Sequence, residues 1–129
     1  VYAHLRKPNH PRHAIALDLV SNLSNGVISP QVMAEYYSVM LRSGQQDAWI
    51  QENLNTILSY VRLQLVNEGI VRCSWRIRNR YGFSIWDSQI VAASLEAGCD
   101  TLYTEDMQSG QVIEGLTVIN PLRKIGVRP

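Results

Sequence analysis

Hydrophobic and polar positions along the chain switch repeatedly between helical and strand periodicity. Apolar side chains recur at helical spacing in several segments, and short runs rich in β-forming residues separate these segments. The pattern predicts helices at 10–23, 30–42, 47–60, 67–82 and 85–97, and strands at 26–29, 61–65, 101–104 and 116–121, after a strand end at "VYA". Strands that alternate with helices predict a three-layer α/β domain, with a mainly parallel central sheet flanked by helices.

Asp87 is the unusual position in this pattern. Ser84 precedes it by three residues, the spacing of a capping box at a helix start. If the helix runs over 85–97, a step of about 100° per residue leaves Gln89 and Glu96 on its only polar stripe. Asp87 is then expected on the opposite, buried side, where a carboxylate is costly unless it is paired, hydrogen-bonded or metal-bound. Capping explains an acid in the first turn but does not explain that side of the helix.

Further acids are predicted at the same edge of the sheet as Asp87. A thirteen-residue helix covers roughly 20 Å, and the strand that follows returns about 17 Å, which brings Glu105 and Asp106 level with Asp87. Glu35 lies just over one turn into the helix that follows the strand at 26–29. Open α/β sheets bind ligands at this carboxyl edge. Carboxylates that repel one another favour a hard cation, so we expect Mg²⁺ or Mn²⁺ rather than zinc.

Each acid also has a plain structural interpretation. Asp87 could serve only as the capping-box acid, and Asp106 could be an ordinary turn residue after a strand. Glu35 shares a polar stripe with Ser38 and Arg42, so periodicity alone favours a solvated or arginine-paired glutamate. The combination of the three acids is therefore more informative than any one of them.

Arginines recur every four residues on one face of the helix at 67–82, at Arg72, Arg76 and Arg80. Such a basic stripe is suited to phosphate groups of a nucleic acid. The alternative is that arginines near a helix C-terminus offset the helix dipole and stay solvated. The three tryptophans, at 49, 75 and 86, are predicted to lie in the core or at a dimer surface rather than to stack on bases.

Composition limits the class of protein. The chain has 129 residues, a net charge of +1, 46% hydrophobic and 18% charged residues, as in an ordinary soluble domain. No apolar run approaches the roughly 20 residues that span a bilayer, and no secretory signal is recognisable. Cys73 and Cys99 lack metal-ligand spacing and are too few for a disulfide scaffold. We therefore expect a cytoplasmic protein with reduced thiols and no membrane association.

Three stretches, "VYA", "SPQVMAEYY" and "GFSIWDSQIVAASLEAGCDTLYTEDMQSGQVIEGLTVINP", resemble PIN-domain ribonucleases, in particular VapC-type toxins of bacterial toxin–antitoxin pairs. The resemblance implies one Rossmann-like PIN domain over 1–129 and metal-dependent hydrolysis of RNA. Glu35, Asp87 and Asp106 match the metal-site acids of the family, and Thr104 matches a polar position beside the last acid. The number of metal ions in the site, one or two, is left open by the sequence.

One departure from the family pattern changes the expectation for activity. The family's first acid lies in a strand motif of the form D-[TS]-N-x-L-V-Y-A, and the sequence begins at its "VYA". We therefore expect the domain to lack its N-terminal strand and the first acid. This leaves an alternative, a truncated, non-catalytic PIN-fold module that binds RNA or an antitoxin. A phosphatase or nucleotide-binding protein is disfavoured because no D-x-D motif or glycine-rich phosphate loop is present.

The resemblance also implies partners, because toxins of this type usually form homodimers and are held by a small antitoxin protein. The helices at 30–42 and 47–60 carry more apolar and aromatic side chains than one sheet face requires. Such residue types are enriched in interface cores. The alternative is that they all fill the core of one subunit, and the residues concerned are Met33, Tyr36, Tyr37, Met40, Trp49, Ile50, Leu54 and Leu58.

Overall fold

The computed structural model describes residues 18–19 and 22–121 of the chain. Its elements are β1 (Gly26–Ile28), α1 (Pro30–Arg42), α2 (Asp47–Tyr60), β2 (Val61–Leu63), α3 (Glu68–Tyr81), α4 (Ile85–Glu96), β3 (Thr101–Tyr103), β4 (Val112–Ile113) and β5 (Leu116–Ile119). The four helices predicted after residue 29 are thereby confirmed. The predicted strand end "VYA" and most of the helix predicted at 10–23 lie outside the described residues.

Helices α1 and α3 begin, and α3 also ends, at capping residues that the sequence supplies. Ser29 Oγ accepts a hydrogen bond from the Val32 amide at 3.3 Å and begins α1. Asn67 Oδ1 accepts from the Ile70 amide at 2.9 Å and begins α3. Gly82 ends α3 in the left-handed region, with φ of 77°, where glycine has no steric penalty. Local side-chain chemistry therefore accounts for where these helices begin and end.

The described residues form two compact units, one of those before residue 64 together with Pro121, and one of residues 64–120. In the first unit, β1 and β2 pair in parallel, from Gly26 opposite Val61 to Ile28 opposite Leu63. A Cβ atom at Gly26 would lie 3.0 Å from Val61 Cγ1 and 2.9 Å from Leu23 Cδ1. Glycine is therefore required by close packing at the start of β1.

Helices α1 and α2 form the core of the first unit, which consists of Tyr36, Met40, Ile50 and Leu54. The Tyr36 hydroxyl is buried and accepts a hydrogen bond from Asn53 Nδ2. Burial raises the pKa of Tyr36, and the bond from Asn53 offsets part of that change. A buried hydroxyl with a partner adds specificity without an unsatisfied polar group.

The second unit packs α3 and α4 together and against a three-stranded sheet. The strand order is β3-β5-β4, with β3 parallel and β4 antiparallel to β5. Its larger buried cluster consists of Ile77, Val91, Ile113, Leu116 and Val118. Since these residues come from α3, α4 and the β4–β5 hairpin, the core fixes the helices against that hairpin.

The α/β class is confirmed, whereas the described strands do not by themselves show one mainly parallel central sheet. The described strands form two small sheets, of two and three strands, and one of the three pairings is antiparallel. The strand predicted over 61–65 ends at Leu63. The strand β4 was not predicted at all, because its two residues are too few to show a periodicity.

The tryptophans are not in the core. Trp49, Trp75 and Trp86 are 40%, 51% and 62% exposed, so the core alternative for them is wrong. Of the eight apolar residues noted on α1 and α2, four are buried within the unit itself. This favours the single-subunit interpretation for those four, and homodimerisation stays a prediction. Across the ranges that the structure covers, no helix has the length and hydropathy needed to cross a bilayer.

Candidate functional site

Asp87 lies in the first turn of α4, and its backbone is fixed by the cap of that helix. The Asp87 amide donates to Ser84 Oγ at 3.0 Å, as the capping spacing predicts. The Asp87 side chain is half-buried rather than buried. The buried stripe of α4 instead consists of Ser88, Val91, Ala92 and Ala93.

The predicted orientation of α4 was therefore wrong by a part of a turn. Ala92 and Ala93 of this stripe form a buried cluster with Ile70 of α3, so packing against α3 contributes to which stripe is buried. Gln89 is half-buried, whereas Glu96 is exposed as predicted. Asp87 is next to the buried stripe and still reaches solvent, which is a position from which a carboxylate can bind a cation at a low desolvation cost.

Asp106 lies in the turn that follows β3, and Thr104 orders that turn. The Asp106 amide donates to Thr104 Oγ1 at 3.1 Å. The Thr104 amide in turn donates to the Ile119 carbonyl at 3.0 Å, at the end of β5. The Asp106 side chain is exposed, and Glu105 is half-buried. Thr104 thus connects the backbone of Asp106 to the sheet, a structural role that the sequence did not indicate.

Glu35 belongs to the first unit, on the exposed face of α1. Its Oε1 accepts a hydrogen bond from Gln31 Nε2 at 3.1 Å. Ser38 and Arg42 are exposed as well, in agreement with the polar stripe that the periodicity predicts. Glu35 is therefore an exposed carboxylate that is hydrogen-bonded to Gln31, and its role in metal binding stays a prediction.

The donor chemistry of these acids fits a hard divalent cation. Carboxylate oxygens are the ligands that Mg²⁺ and Mn²⁺ prefer, and Mg²⁺ is commonly held by one or two carboxylates together with water and substrate phosphate. Within the described ranges, no group of three or more His, Cys, Asp or Glu side chains is placed so that it could hold a metal ion. The chemistry of the acids therefore suits such a cation, and their assembly into one metal site stays a prediction.

The three predicted phosphate-binding arginines on α3 have different environments. Arg72 pairs with Glu68 at 2.7 Å, and its guanidinium lies 5.6 Å from the centroid of the Trp75 ring. Both members of this pair are exposed, so the pair contributes little to stability. Arg80 lies over the Tyr81 ring at 5.4 Å. Arg76, and at a longer distance Arg80, also contact a carboxylate outside α3.

Arg76 binds Glu114, which sequence reasoning missed. The Arg76 Nη1 atom lies 2.6 Å from Glu114 Oε2, and Nη2 lies 3.1 Å from Oε1. The hydrogen bond from Arg76 lowers the pKa of Glu114, and the same bond raises the pKa of Arg76. The signal available in the sequence was Glu114-Gly115 between two short apolar runs, a two-residue hairpin pattern that places an acid at the tip.

Comparisons with known proteins identify the family of this chain. Comparison with curated protein sequences gives no match. Among solved structures, the chain is similar to the Mycobacterium tuberculosis toxin VapC20, described as cleaving the sarcin–ricin loop, with a TM-score of 0.63 and 19% sequence identity. The match covers 81% of this chain and 85% of VapC20. A family model, that of the PIN domain, matches residues 1–112. Since that match spans most of the sequence, the chain belongs to the PIN domain family.

Proposed function

We propose that this protein is a metal-dependent ribonuclease that acts as the toxin of a VapC-type toxin–antitoxin pair. Membership of the PIN domain family over residues 1–112 carries the proposal. The shared fold with VapC20, a toxin described as cleaving the sarcin–ricin loop, supports the toxin assignment. The finer fold assignment, a single three-layer Rossmann-like domain with a mainly parallel sheet, is part of the same proposal, supported by the parallel pairings β1–β2 and β3–β5.

The catalytic assignment is that Glu35, Asp87 and Asp106 provide the carboxylates that hold Mg²⁺ or Mn²⁺. When bound, such an ion activates water near neutral pH and offsets the negative charge that builds on the scissile phosphate. The cap at Ser84 fixes the backbone of Asp87, and the hydrogen bond to Thr104 fixes the backbone of Asp106. A fixed backbone reduces the conformational entropy that each of these carboxylates would lose on binding a cation.

RNA contacts are proposed for α3 and for Thr104. The exposed guanidinium groups of Arg72 and Arg80 support phosphate binding by α3, and so does the exposed indole of Trp75 beside Arg72. The Thr104 hydroxyl already accepts a hydrogen bond from the Asp106 amide. It retains a proton to donate, and we assign that proton to an RNA oxygen near Asp106.

The proposed partners are an RNA substrate, an antitoxin protein and a second copy of the chain, in the cytoplasm. The exposed apolar residues of the first unit support a protein partner, since Leu41, Trp49, Tyr60 and Leu63 are all more than a third exposed. Sedimentation at micromolar protein concentration tests the homodimer, which should have twice the mass of the chain.

A cleavage assay with a charge-matched control tests the enzymatic proposal. Labelled RNA should be cleaved on addition of Mg²⁺ or Mn²⁺, and chelation of the metal should stop the reaction. Asp87→Asn and Asp106→Asn should each reduce the rate by at least about 100-fold, because each removes a charged ligand for a cation. Glu96→Gln makes the same charge change on the exposed end of α4 and should leave the rate unaltered.

Two results would contradict the assignment. Cleavage that continues in the presence of a chelator would exclude a metal-dependent mechanism. Cleavage at the normal rate by the Asp87→Asn variant would remove Asp87 from the site. Binding of RNA without any cleavage, at every metal concentration, would instead favour a non-catalytic PIN-fold module.

A further inference from the structure

Arg76 and Arg80 share a single carboxylate in the second unit. Arg76 donates hydrogen bonds to both carboxylate oxygens of Glu114, at 2.6 and 3.1 Å, and Arg80 Nη1 lies 3.9 Å from Glu114 Oε2. A second contact of Arg76 joins its Nη2 to Cys73 Sγ at 3.5 Å. Two positive groups thus surround one negative group, and the cluster keeps a net charge of +1.

The arrangement around Glu114 is that of an anion-binding site. A guanidinium presents two parallel N–H groups, and this fork fits the paired oxygens of a carboxylate or of a phosphate equally well. The side chains of Arg76 and Arg80 are 52% and 65% exposed, whereas that of Glu114 is 26% exposed. The arginines therefore have open sides toward solvent, while the carboxylate lies partly between them.

The backbone at Glu114 shows that turn preference does not account for a glutamate at this position. Ile113 pairs with Leu116, so Glu114 and Gly115 are the two central residues of the hairpin turn. Their φ angles are 53° and 90°, and two positive values define a type I′ turn. Glycine is favoured at the first central position of such a turn because it lacks a Cβ atom, and asparagine and aspartate are favoured because their short polar side chains hydrogen-bond the local backbone. The reach of glutamate to α3 explains its presence better than the turn does.

We propose that Arg76 and Arg80 form a phosphate-binding site, that the Glu114 carboxylate occupies this site in the free protein, and that a phosphate of single-stranded RNA displaces it. The identity of the ligand as RNA rests on the proposed function, whereas the anion site itself does not. The neighbouring Arg72 and Trp75 favour a single-stranded ligand, since a cation beside an exposed indole can hold a phosphate and a base together. Glu114 keeps the arginines in position, and its exchange for phosphate leaves neither arginine unpaired.

The test uses Glu114→Asn, which removes the charge and places a preferred residue in the type I′ turn. Binding of inorganic pyrophosphate is measured by calorimetry, and binding of a labelled single-stranded RNA is measured at several salt concentrations. Both ligands should bind about two- to fivefold more tightly to the variant, the range set by a partly exposed ion pair. The salt dependence of RNA binding should steepen, by about 0.7 in the log–log slope for each further phosphate that the arginines neutralise.

Three control variants separate the effect of charge from that of structure. Glu96→Gln removes one negative charge elsewhere in the second unit. It should change the affinity for each ligand, and the slope of the salt dependence, by less than Glu114→Asn does. Adding Arg76→Gln to Glu114→Asn should cancel the increase in affinity, because the fork that binds the anion is then absent. Glu114→Gln keeps the length of the side chain, and it should reproduce the increase if Glu114→Asn alters the hairpin.

The outcomes distinguish this proposal from the proposed function. Unchanged or weaker pyrophosphate binding by both Glu114 variants overturns the anion site. Tighter pyrophosphate binding without RNA binding in any variant supports the anion site and counts against RNA as the ligand. Tighter binding of both ligands, cancelled by Arg76→Gln, supports both.

Discussion

Replacing Ser88 by alanine should stabilise the protein. Ser88 is completely buried, and its Oγ has no hydrogen-bond partner among the residues that the structure describes. A buried hydroxyl without a partner costs about 1 to 3 kcal/mol of folding free energy. Alanine is also the better helix former, by up to about 0.5 kcal/mol. The void left by one oxygen atom offsets only a few tenths of a kcal/mol, so we expect a net increase in stability of about 1 to 3 kcal/mol.

The matched control is Ser74→Ala on α3. Ser74 is 1% exposed, but its Oγ donates to the Val71 carbonyl at 2.5 Å. Removal of the Ser74 hydroxyl loses one satisfied hydrogen bond, worth about 1 kcal/mol. The gain in helix propensity is the same as for Ser88→Ala, because both changes are from serine to alanine. The free energy of unfolding should therefore change by less than about 1 kcal/mol for Ser74→Ala. Urea unfolding followed by circular dichroism gives both values, and an unchanged slope shows that the unfolded states are comparable.

The difference between the two variants is the decisive quantity. If Ser88→Ala lowers the free energy of unfolding as much as Ser74→Ala does, or more, then the Ser88 hydroxyl is satisfied in solution. The reasoning from burial would then be refuted. A rise in the urea midpoint for Ser88→Ala alone would support it.

Three more predictions concern stability. Met40→Ala should cost about 2 to 5 kcal/mol in the same urea experiment, because Met40 is fully buried in the core of the first unit and its loss leaves a cavity. Ser84→Ala should cost about 1 kcal/mol by removing the cap of α4, whereas Ser84→Thr should retain most of the stability. The pKa of Glu114 is lowered in the folded protein, so its stabilising contribution is present above the ordinary glutamate pKa and is lost as the pH falls through the folded-state value. The urea midpoint of Glu114→Gln should accordingly fall less between pH 7 and pH 3 than that of the unsubstituted protein.

Much of the helical structure could be predicted because its signals are local. Ser29 with Pro30, Asn67 and Ser84 each mark a helix start by a side chain that bonds the backbone three residues later. Gly82 marks a helix end by a positive φ angle. Such interactions depend on a few neighbouring residues, so they can be read without knowledge of the fold.

The features that were missed depend on contacts between distant residues. Arg76 and Glu114 are 38 positions apart, and no local pattern relates them. The sequence gives the angle of Asp87 around the axis of α4. It does not give the side of α4 that packs against α3, and that side decides which stripe is buried. For the same reason, the assignment of Glu35, Asp87 and Asp106 to a single metal site stays a prediction, supported by family membership.

The exposure of all three tryptophans has a consequence for spectroscopy. Trp49, Trp75 and Trp86 are each at least 40% exposed, and the chain has no other tryptophan. The indole emission of the folded protein should already lie at the long wavelengths that are typical of water-exposed rings, so unfolding should shift it little. Trp75 lies beside Arg72, and Trp86 directly precedes Asp87. A nucleic acid that reaches either position should quench the emission, which makes intrinsic fluorescence a label-free titration signal for binding.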